Sequence, residues 1–190
     1  MDHISRAWGV VSRDLASWII LVLVAGCATL LTCGIAGLLV GPNLVLATKR
    51  AIDRGVAPEI GDLFQTDLIA EYVVYWVILI VASFASSILP LIGSVLVSVL
   101  TFWTLPLIVD QRFGAIDAIQ ASFHHAKGAF FDLLVFAIIL YVIAFLGTCA
   151  CFVGLFVAVP VTLVATWLYY QAERTHILAA AINAGLKPLP

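Results

Sequence analysis

Apolar residues in this chain form three long runs, and charged residues are swept to their edges. Leu15–Thr48, Tyr72–Val109 and Leu133–Ala172 hold 34, 38 and 40 residues, and none of the 9 Lys+Arg or 11 Asp+Glu side chains falls inside them. A charge at the bilayer centre costs about 2.5–3.5 kcal/mol on insertion scales, so this segregation marks a chain whose solvent is lipid. A hydrocarbon core about 30 Å thick takes roughly 20 helical residues. One straight helix per run would measure about 51–60 Å, too long to span even when tilted. Two shorter helices per run fit.

Helix breakers stand near the middle of each run. The first run has Gly34 and Gly37 after Thr29 and Thr32; the second has Ser86, Ser87, Pro90, Gly93 and Ser94; the third has Gly147, Thr148 and Gly154. The expected fold is therefore all-α and polytopic, with six transmembrane helices in three hairpins. Both termini and both long connections then share one side. All nine basic residues (Arg6, Arg13, Lys49, Arg50, Arg54, Arg112, Lys127, Arg174 and Lys187) fall on that side, which the positive-inside rule assigns to the cytoplasm. Three single spans would divide them four against five. Trp18, Tyr72, Tyr75, Trp76, Trp103, Trp167, Tyr169 and Tyr170 lie close to the charged boundary, where amphipathic rings are expected to anchor in the interface. The tips offer only Phe84, Phe145 and Phe152, so no outer loop is large enough to bind an external protein.

The segments between runs are amphipathic. Over 112–130, Phe113, Ile116, Ile119, Phe123, Ala126 and Phe130 step by three or four, with Asp117, Gln120, His124 and Lys127 on another stripe. That period predicts a helix lying in the membrane interface on the cytoplasmic side. Ile4, Trp8, Val11, Leu15 and Trp18 repeat the pattern near the N-terminus, and Pro58, Ile60, Leu63 and Phe64 repeat it weakly in the first connection. Trp8, His124 and Lys127 are read as interfacial residues. Residues 173–186 are expected to be helical, stopped by Gly185, Lys187 and Pro188. These helices link and anchor the hairpins; the sharper alternative is a lipid-sensing or partner-docking collar. Their basic residues are too few for strong anionic-lipid binding.

Composition agrees. Of 190 residues, 64% are hydrophobic and 11% charged, against roughly 45–50% and ~25% in a soluble domain. Mean hydropathy is +1.16. Residues 1–190 read as a single membrane domain. A net charge of −2 leaves no basic face for nucleic acid. Val24-Ala25-Gly26-Cys27 has the form of a lipoprotein cleavage box, but membrane-like sequence continues beyond Cys27, so the segment is read as a first membrane helix.

The hairpins look related. Asp14-Leu15, Ile20, Val24, Cys33, Pro42 and Ala47-Thr48 recur 118 residues later as Asp132-Leu133, Ile138, Val142, Cys151, Pro160 and Ala165-Thr166. An offset of 64 maps Pro42, Val45 and Ala51-Ile52-Asp53 onto Pro106, Val109 and Ala115-Ile116-Asp117. Repeats over 1–54, 55–118 and 119–190 follow, each with a proline in its second helix. Proline removes a helical hydrogen bond and kinks a helix, which neighbours in a membrane bundle accommodate.

Candidate chemistry is sparse. Cys27, Cys33, Cys149 and Cys151 fall near the tips, where an oxidising compartment would permit a disulfide; small apolar packing is the favoured alternative. Adjacent His124 and His125 point about 100° apart on a helix and make no metal pair. Asn43, beside Pro42, is the one amide deep in an apolar run, suited to carbonyls freed by the kink or to a neighbouring helix. Gly37-x-x-x-Gly41, Ser83-x-x-x-Ser87 and Ser94-x-x-x-Ser98 follow the small-residue pattern of close helix approach. Kink and packing roles fall to Pro42, Asn43, Pro106, Pro160, Gly37 and Gly41. Proton-coupled carriers usually keep an ionisable group at membrane depth, but Asp14, Glu71, Asp110 and Asp132 all sit at boundaries. With no phosphate loop, metallohydrolase helix or acid pair, no catalytic residue, cofactor or metal is expected, and the chain is not read as an enzyme.

The stretch Ile119-Gln120-Ala121-Ser122-Phe123-His124-His125-Ala126-Lys127-Gly128-Ala129-Phe130 resembles a pattern in a broad group of uncharacterised bacterial six-helix membrane proteins. Pro160-Val161-Thr162, Leu168-Tyr169-Tyr170 and Arg174 are similar to that group's closing helix. Some members carry the module ahead of a glycerophosphodiester phosphodiesterase domain. The resemblance covers about the last 80 residues and implies a bacterial inner-membrane protein; no hydrolase domain is present here, so no catalytic residue carries over.

Three functions fit. The first is a non-catalytic membrane protein acting through helix packing or lipids, as scaffold, assembly partner or envelope-homeostasis factor. The second is an oligomeric transporter or pore for an apolar or neutral solute, lined by Ser86, Ser94, Ser98, Thr101, Thr104 and Asn43. The third is a bilayer-shaping wedge of short hairpins. Expected partners are membrane lipids, a homo-oligomer or another membrane protein, and not nucleic acid.

Overall fold

The computed structural model describes residues 2–86, 90–149, 154–186 and 188. Ser87, Cys151, Phe152 and Lys187, named above, lie outside these residues. The described residues are helical apart from short turns and one extended connection, with no strand among them.

The first apolar run divides where expected. Helix α1 (Asp2–Val11) leads through a 3-10 turn at Ser12–Asp14 into α2 (Leu15–Leu31). The Thr29 and Thr32 hydroxyls donate to the carbonyls of Ala25 and Ala28, both at 2.8 Å. Thr32 Oγ1 also accepts from the Ala36 N–H at 2.8 Å. Cys33 and Gly34 take left-handed backbone at φ 51 and φ 92, and the chain turns into α3 (Gly37–Arg54). The left-handed conformation is costly for most side chains and natural for glycine. Gly55, left-handed at φ 65, ends α3, and the Val56 N–H returns to the Ala51 carbonyl at 3.1 Å. This is the 6→1 bond of a helix C-cap.

The second run holds α4 (Ile69–Ser86), α5 (Pro90–Leu100) and, after a turn, α6 (Thr104–Gln111). Left-handed Arg112 at φ 52 follows α6. The predicted interfacial helix is α7 (Ala115–Gly128), and the third run holds α8 (Phe130–Cys149) and α9 (Leu155–Asn183). Pro42 and Pro160 each stand five residues beyond the start of their helix. The breaker reading of Gly147 and Thr148 is corrected, because both lie inside α8. A Cβ at Gly147 would meet the Ala158 Cβ at 2.7 Å and the Gly154 carbonyl oxygen at 3.0 Å, so this glycine permits close packing rather than ending a helix.

Among the described residues, 4 helices are long and apolar enough to cross a membrane: His3–Leu31, Gly93–Gln111, Phe130–Cys149 and Leu155–Asn183. Helix α3 falls short because Lys49, Arg50, Asp53 and Arg54 occupy its last turns. Its uncharged stretch 37–48 measures only about 18 Å. Ile69–Phe84 is apolar but shorter than the others.

The chain forms two compact units. One comprises Met1–Thr66 and Ile138–Ala172, the other Asp67–Ala137 and Glu173–Pro190. In the first, α2 and α3 pack together and α3 packs against the 3-10 turn at Ile60–Phe64. In the second, α4 packs on α5, and α7 packs on α4, α5 and α6.

The aromatic side chains correct the sequence expectation. Trp18, Trp103, Trp167, Tyr72 and Tyr170 are among the largest fully buried side chains. They form the cores of their units instead of facing lipid as a belt. These rings lie near the charged ends of the helices, whereas the far ends expose Leu30, Leu31, Phe84, Phe145 and Leu146. Large apolar side chains are also exposed along the helices and near their charged ends, among them Ile20, Val73, Phe131 and Tyr141.

Candidate functional site

In the first unit, polar side chains converge on the connection after α3. Asn43, 1% exposed, donates through Nδ2 to the Leu63 carbonyl at 2.9 Å and the Gln65 carbonyl at 2.8 Å. Two turns further along α3, Arg50 pairs with the buried Asp62 carboxylate and donates to Gln65 Oε1 at 2.7 Å. An amide and a guanidinium on one helix face therefore hold the centre and the C-terminal end of the 3-10 turn. The predicted partners of Asn43 are corrected: its donors go to this connection, not to a kinked helix or a neighbouring one. Its Oδ1 is buried and has no hydrogen-bond partner among the described residues. The clamp has no nucleophile or base poised on a cleft; its role is to hold the connection.

Nearby contacts extend the same structure. Lys49 Nζ lies 5.8 Å from the Trp167 ring centroid, and the His3 and Tyr169 rings stand 5.3 Å apart. Gln171 Nε2 donates to Asp53 Oδ1 at 3.3 Å. The cation–ring geometry is worth about 0.5–1 kcal/mol at an exposed site.

In the second unit, Glu71 Oε2 accepts the Ala115 N–H at 2.6 Å. A carboxylate at a helix N-terminus satisfies an otherwise orphaned donor and complements the helix dipole. Ser122 on α7 bridges the turn between α5 and α6: its hydroxyl donates to the Leu100 carbonyl at 2.7 Å and accepts the Trp103 N–H at 3.1 Å. Arg174 pairs with Asp110 at 3.0 Å.

Helix α7 turns a different face inward from the one its large residues suggest. Its buried positions are Ala115, Ala118, Ala121, Ser122 and Ala126. Ile116 and Phe123 are exposed, as are His124 and Lys127. Small residues let the helix approach its neighbours closely, which leaves the bulky stripe outside. Lys127 Nζ sits 4.1 Å from the Phe123 ring centroid, and the Phe123 and His124 rings meet edge to face. Trp8 on α1 is likewise exposed.

His125 is the one titratable group of α7 with a resolved perturbation. Burial pushes it below its ordinary value, opposed by the Glu173 charge and reinforced by His176. Its Nε2 lies 3.9 Å from Glu173 Oε2. The unfolded chain therefore binds a proton here more readily than the folded one, and stability rises with pH. The His125 contribution is full above about pH 6.5 and is lost as pH falls below that value. Substituting His125→Phe is expected to flatten this acid-side slope in thermal melts of the detergent-solubilised protein. Unchanged slopes in wild type and variant would contradict it.

Cys27, Cys33 and Cys149 are free and exposed. That exposure corrects the packing reading for these three and leaves no disulfide among them; a pairing with Cys151 lies outside the described residues. Gly37 does mark a close helix approach, since a Cβ there would meet Thr29 Cγ2 at 3.0 Å. Gly41 meets nothing within 4 Å, so the small-residue reading is corrected at that end. Pro42 and Pro160 are buried inside α3 and α9, and Pro106 is buried in α6.

One groove unites some of the hydroxyls proposed to line a pore. It has a volume of about 360 Å³ and is lined by Tyr75, Leu79, Ser83, Ser94, Val97, Ser98, Thr101, Phe102 and Leu105. Asn43 and Thr104 do not line it: Asn43 is committed to the connection, and Thr104 is buried away from the groove. Sequence spacing missed Tyr75 and Ser83 as groove residues, because only the packing of α4 on α5 brings them there. Among the described residues, no group of three or more His, Cys, Asp or Glu side chains is placed to hold a metal ion.

No protein-family model, curated protein or solved structure matches the chain.

Proposed function

We propose that this chain is a non-catalytic protein of the bacterial inner membrane that acts through helix packing or lipid contacts, as a scaffold, assembly partner or envelope-homeostasis factor. In this reading six helices form three hairpins, with both termini and all basic residues in the cytoplasm. The observation that carries it is the division of labour along the helices. Polar side chains are spent on bracing connections and helix ends, through Asn43, Arg50, Asp62, Glu71 and Ser122. The helices instead present large apolar side chains outward, both at the tips, with Leu31 85% and Phe84 75% exposed, and along their length, with Phe131 78% exposed. Such surfaces are satisfied by lipid tails or by other membrane helices. The likeness at 119–130 and 160–174 supports placing the chain with the six-helix module that occurs alone or ahead of phosphodiesterase domains.

Reconstitution tests this reading against transport. Proteoliposomes containing the purified chain are expected to show no glycerol-driven swelling beyond protein-free vesicles, while native mass spectrometry of the extracted protein shows retained lipid or a homo-oligomer. Rapid glycerol entry would overturn the reading in favour of a pore.

The wedge reading has its own support. The uncharged part of α3 reaches only about 18 Å, short of a ~30 Å hydrocarbon core. A hairpin built on it could stop within the far leaflet, and the accessibility of Cys33 from outside separates the two cases.

A further inference from the structure

The groove between α4 and the α5–α6 segment contains one unspent hydrogen-bond donor. Tyr75 is only 7% exposed and lines the groove. Its ring packs against Trp76 at a centroid distance of 5.5 Å, and its hydroxyl has no hydrogen-bond partner among the described residues. The other hydroxyls differ. Ser98 donates to the Val95 carbonyl at 2.8 Å and Thr101 to the Val97 carbonyl at 2.7 Å, so both offer the groove only acceptor lone pairs. Ser83 and Ser94 are also partnered. The remaining lining residues are Leu79, Val97, Phe102 and Leu105, and no charged side chain lines the groove.

The hydroxyl opens to the groove, and where that groove faces lipid instead of water a phenol without a partner is costly unless something accepts its proton. The chemistry of the groove limits that acceptor to a neutral group carried on an apolar body. Depth narrows it further. Glu71, pinned to the α7 N-terminus, marks the aqueous end of α4. Tyr75 lies one turn beyond it, about 6 Å along the axis. In the membrane reading above, that depth is where the ester carbonyls of a bilayer lipid lie, just inside the headgroups.

We propose that this groove is a glycerolipid site in which Tyr75 O–H donates to an ester carbonyl of the lipid. The upper acyl chain runs along Leu79, Val97 and Phe102 toward Ser83 and Ser94. The site rests on the membrane reading above and gives it a lipid contact with defined chemistry.

The test uses the full chain in detergent with two probes. Dioleoylphosphatidylethanolamine supplies ester carbonyls; its ether-linked analogue keeps headgroup and chains without them. Native mass spectrometry reads the fraction of protein retaining one lipid. Wild type is expected to retain the ester lipid in preference to the ether analogue. Tyr75→Phe is expected to lower ester-lipid retention about three- to tenfold, the scale of one net hydrogen bond, and to leave ether-lipid retention unchanged. Tyr141→Phe, at an exposed tyrosine of α8, is expected to behave as wild type. Equal retention of both lipids by wild type, or of the ester lipid by wild type and Tyr75→Phe, overturns the proposal. So does a dimer that forms in place of lipid binding and is lost in Ser98→Leu, which would assign the groove to a second copy. Absence of the chain from cell membranes before extraction overturns both this site and the membrane reading. Membrane residence with Tyr75-insensitive binding overturns the site alone.

Discussion

Replacing Arg50 by methionine is expected to release the connection between α3 and α4. Asp62 is 8% exposed in its side chain and paired with the Arg50 guanidinium, which is itself 26% exposed. Removing one partner of a buried pair leaves an uncompensated charge, at a cost of about 3–5 kcal/mol when burial is complete. Partial solvation of Arg50 lowers the expectation to about 2–3 kcal/mol. If local opening exposes residues 56–66 to protease, cleavage there rises by roughly thirty- to hundredfold while the transmembrane segments stay protected. The double variant Arg50→Met/Asp62→Leu is expected to recover much of the loss, because it removes the stranded charge as well. Cleavage of Arg50→Met at the wild-type rate would show that the pair does not hold the connection.

The second large effect is expected at Asn43→Leu. The new side chain is close in volume but donates nothing, so the Leu63 and Gln65 carbonyls both lose their Nδ2 donor. A buried polar group left unsatisfied costs about 1–3 kcal/mol. Removal of the partnerless Oδ1 offsets part of that sum. A net loss of about 2 kcal/mol follows, read as a roughly thirtyfold increase in proteolysis. Because Asn43 and Arg50 hold one connection, the double variant is expected to cost less than the sum of the singles. Strict additivity would mean that the two side chains act on separate structures.

Membrane character was legible because lipid penalises charge strongly, and so was the first helix break. Leu15–Thr48 could be divided at Thr32 and Gly34 from composition alone, and the left-handed Cys33–Gly34 turn lies at that point. Helix count was less legible. Apolar length alone could not show that Lys49 and Arg50 would continue α3 rather than end it, or that Arg50 would be spent on a clamp. The aromatic residues misled for a related reason. A tryptophan near a charged boundary fits an interfacial belt and a packed core equally well in sequence, and only the neighbours of Trp18, Trp103 and Trp167 distinguish them. The α7 stripe of Ile116 and Phe123 was visible, but its opposite alanine face carries the packing. Asn43 stood out as a lone amide, whereas its partners, two backbone carbonyls some twenty residues on, leave no mark in residue identity. Tyr75 could not have been singled out, because its significance depends on a hydroxyl left without a partner.

The central claim is that the chain turns back within the membrane at the Cys33–Gly34 turn and again in each later run, leaving its charged ends in one compartment. Single-cysteine variants in intact cells test it most directly. With the other three native cysteines replaced by serine, Cys33 is expected to react with a membrane-impermeant maleimide added outside. New cysteines at Arg54 and Arg112, in chains lacking all four native ones, are expected to react only after permeabilisation. Outside labelling at either of those two positions, or a Cys33 that stays unreactive until the membrane is opened, would contradict the account.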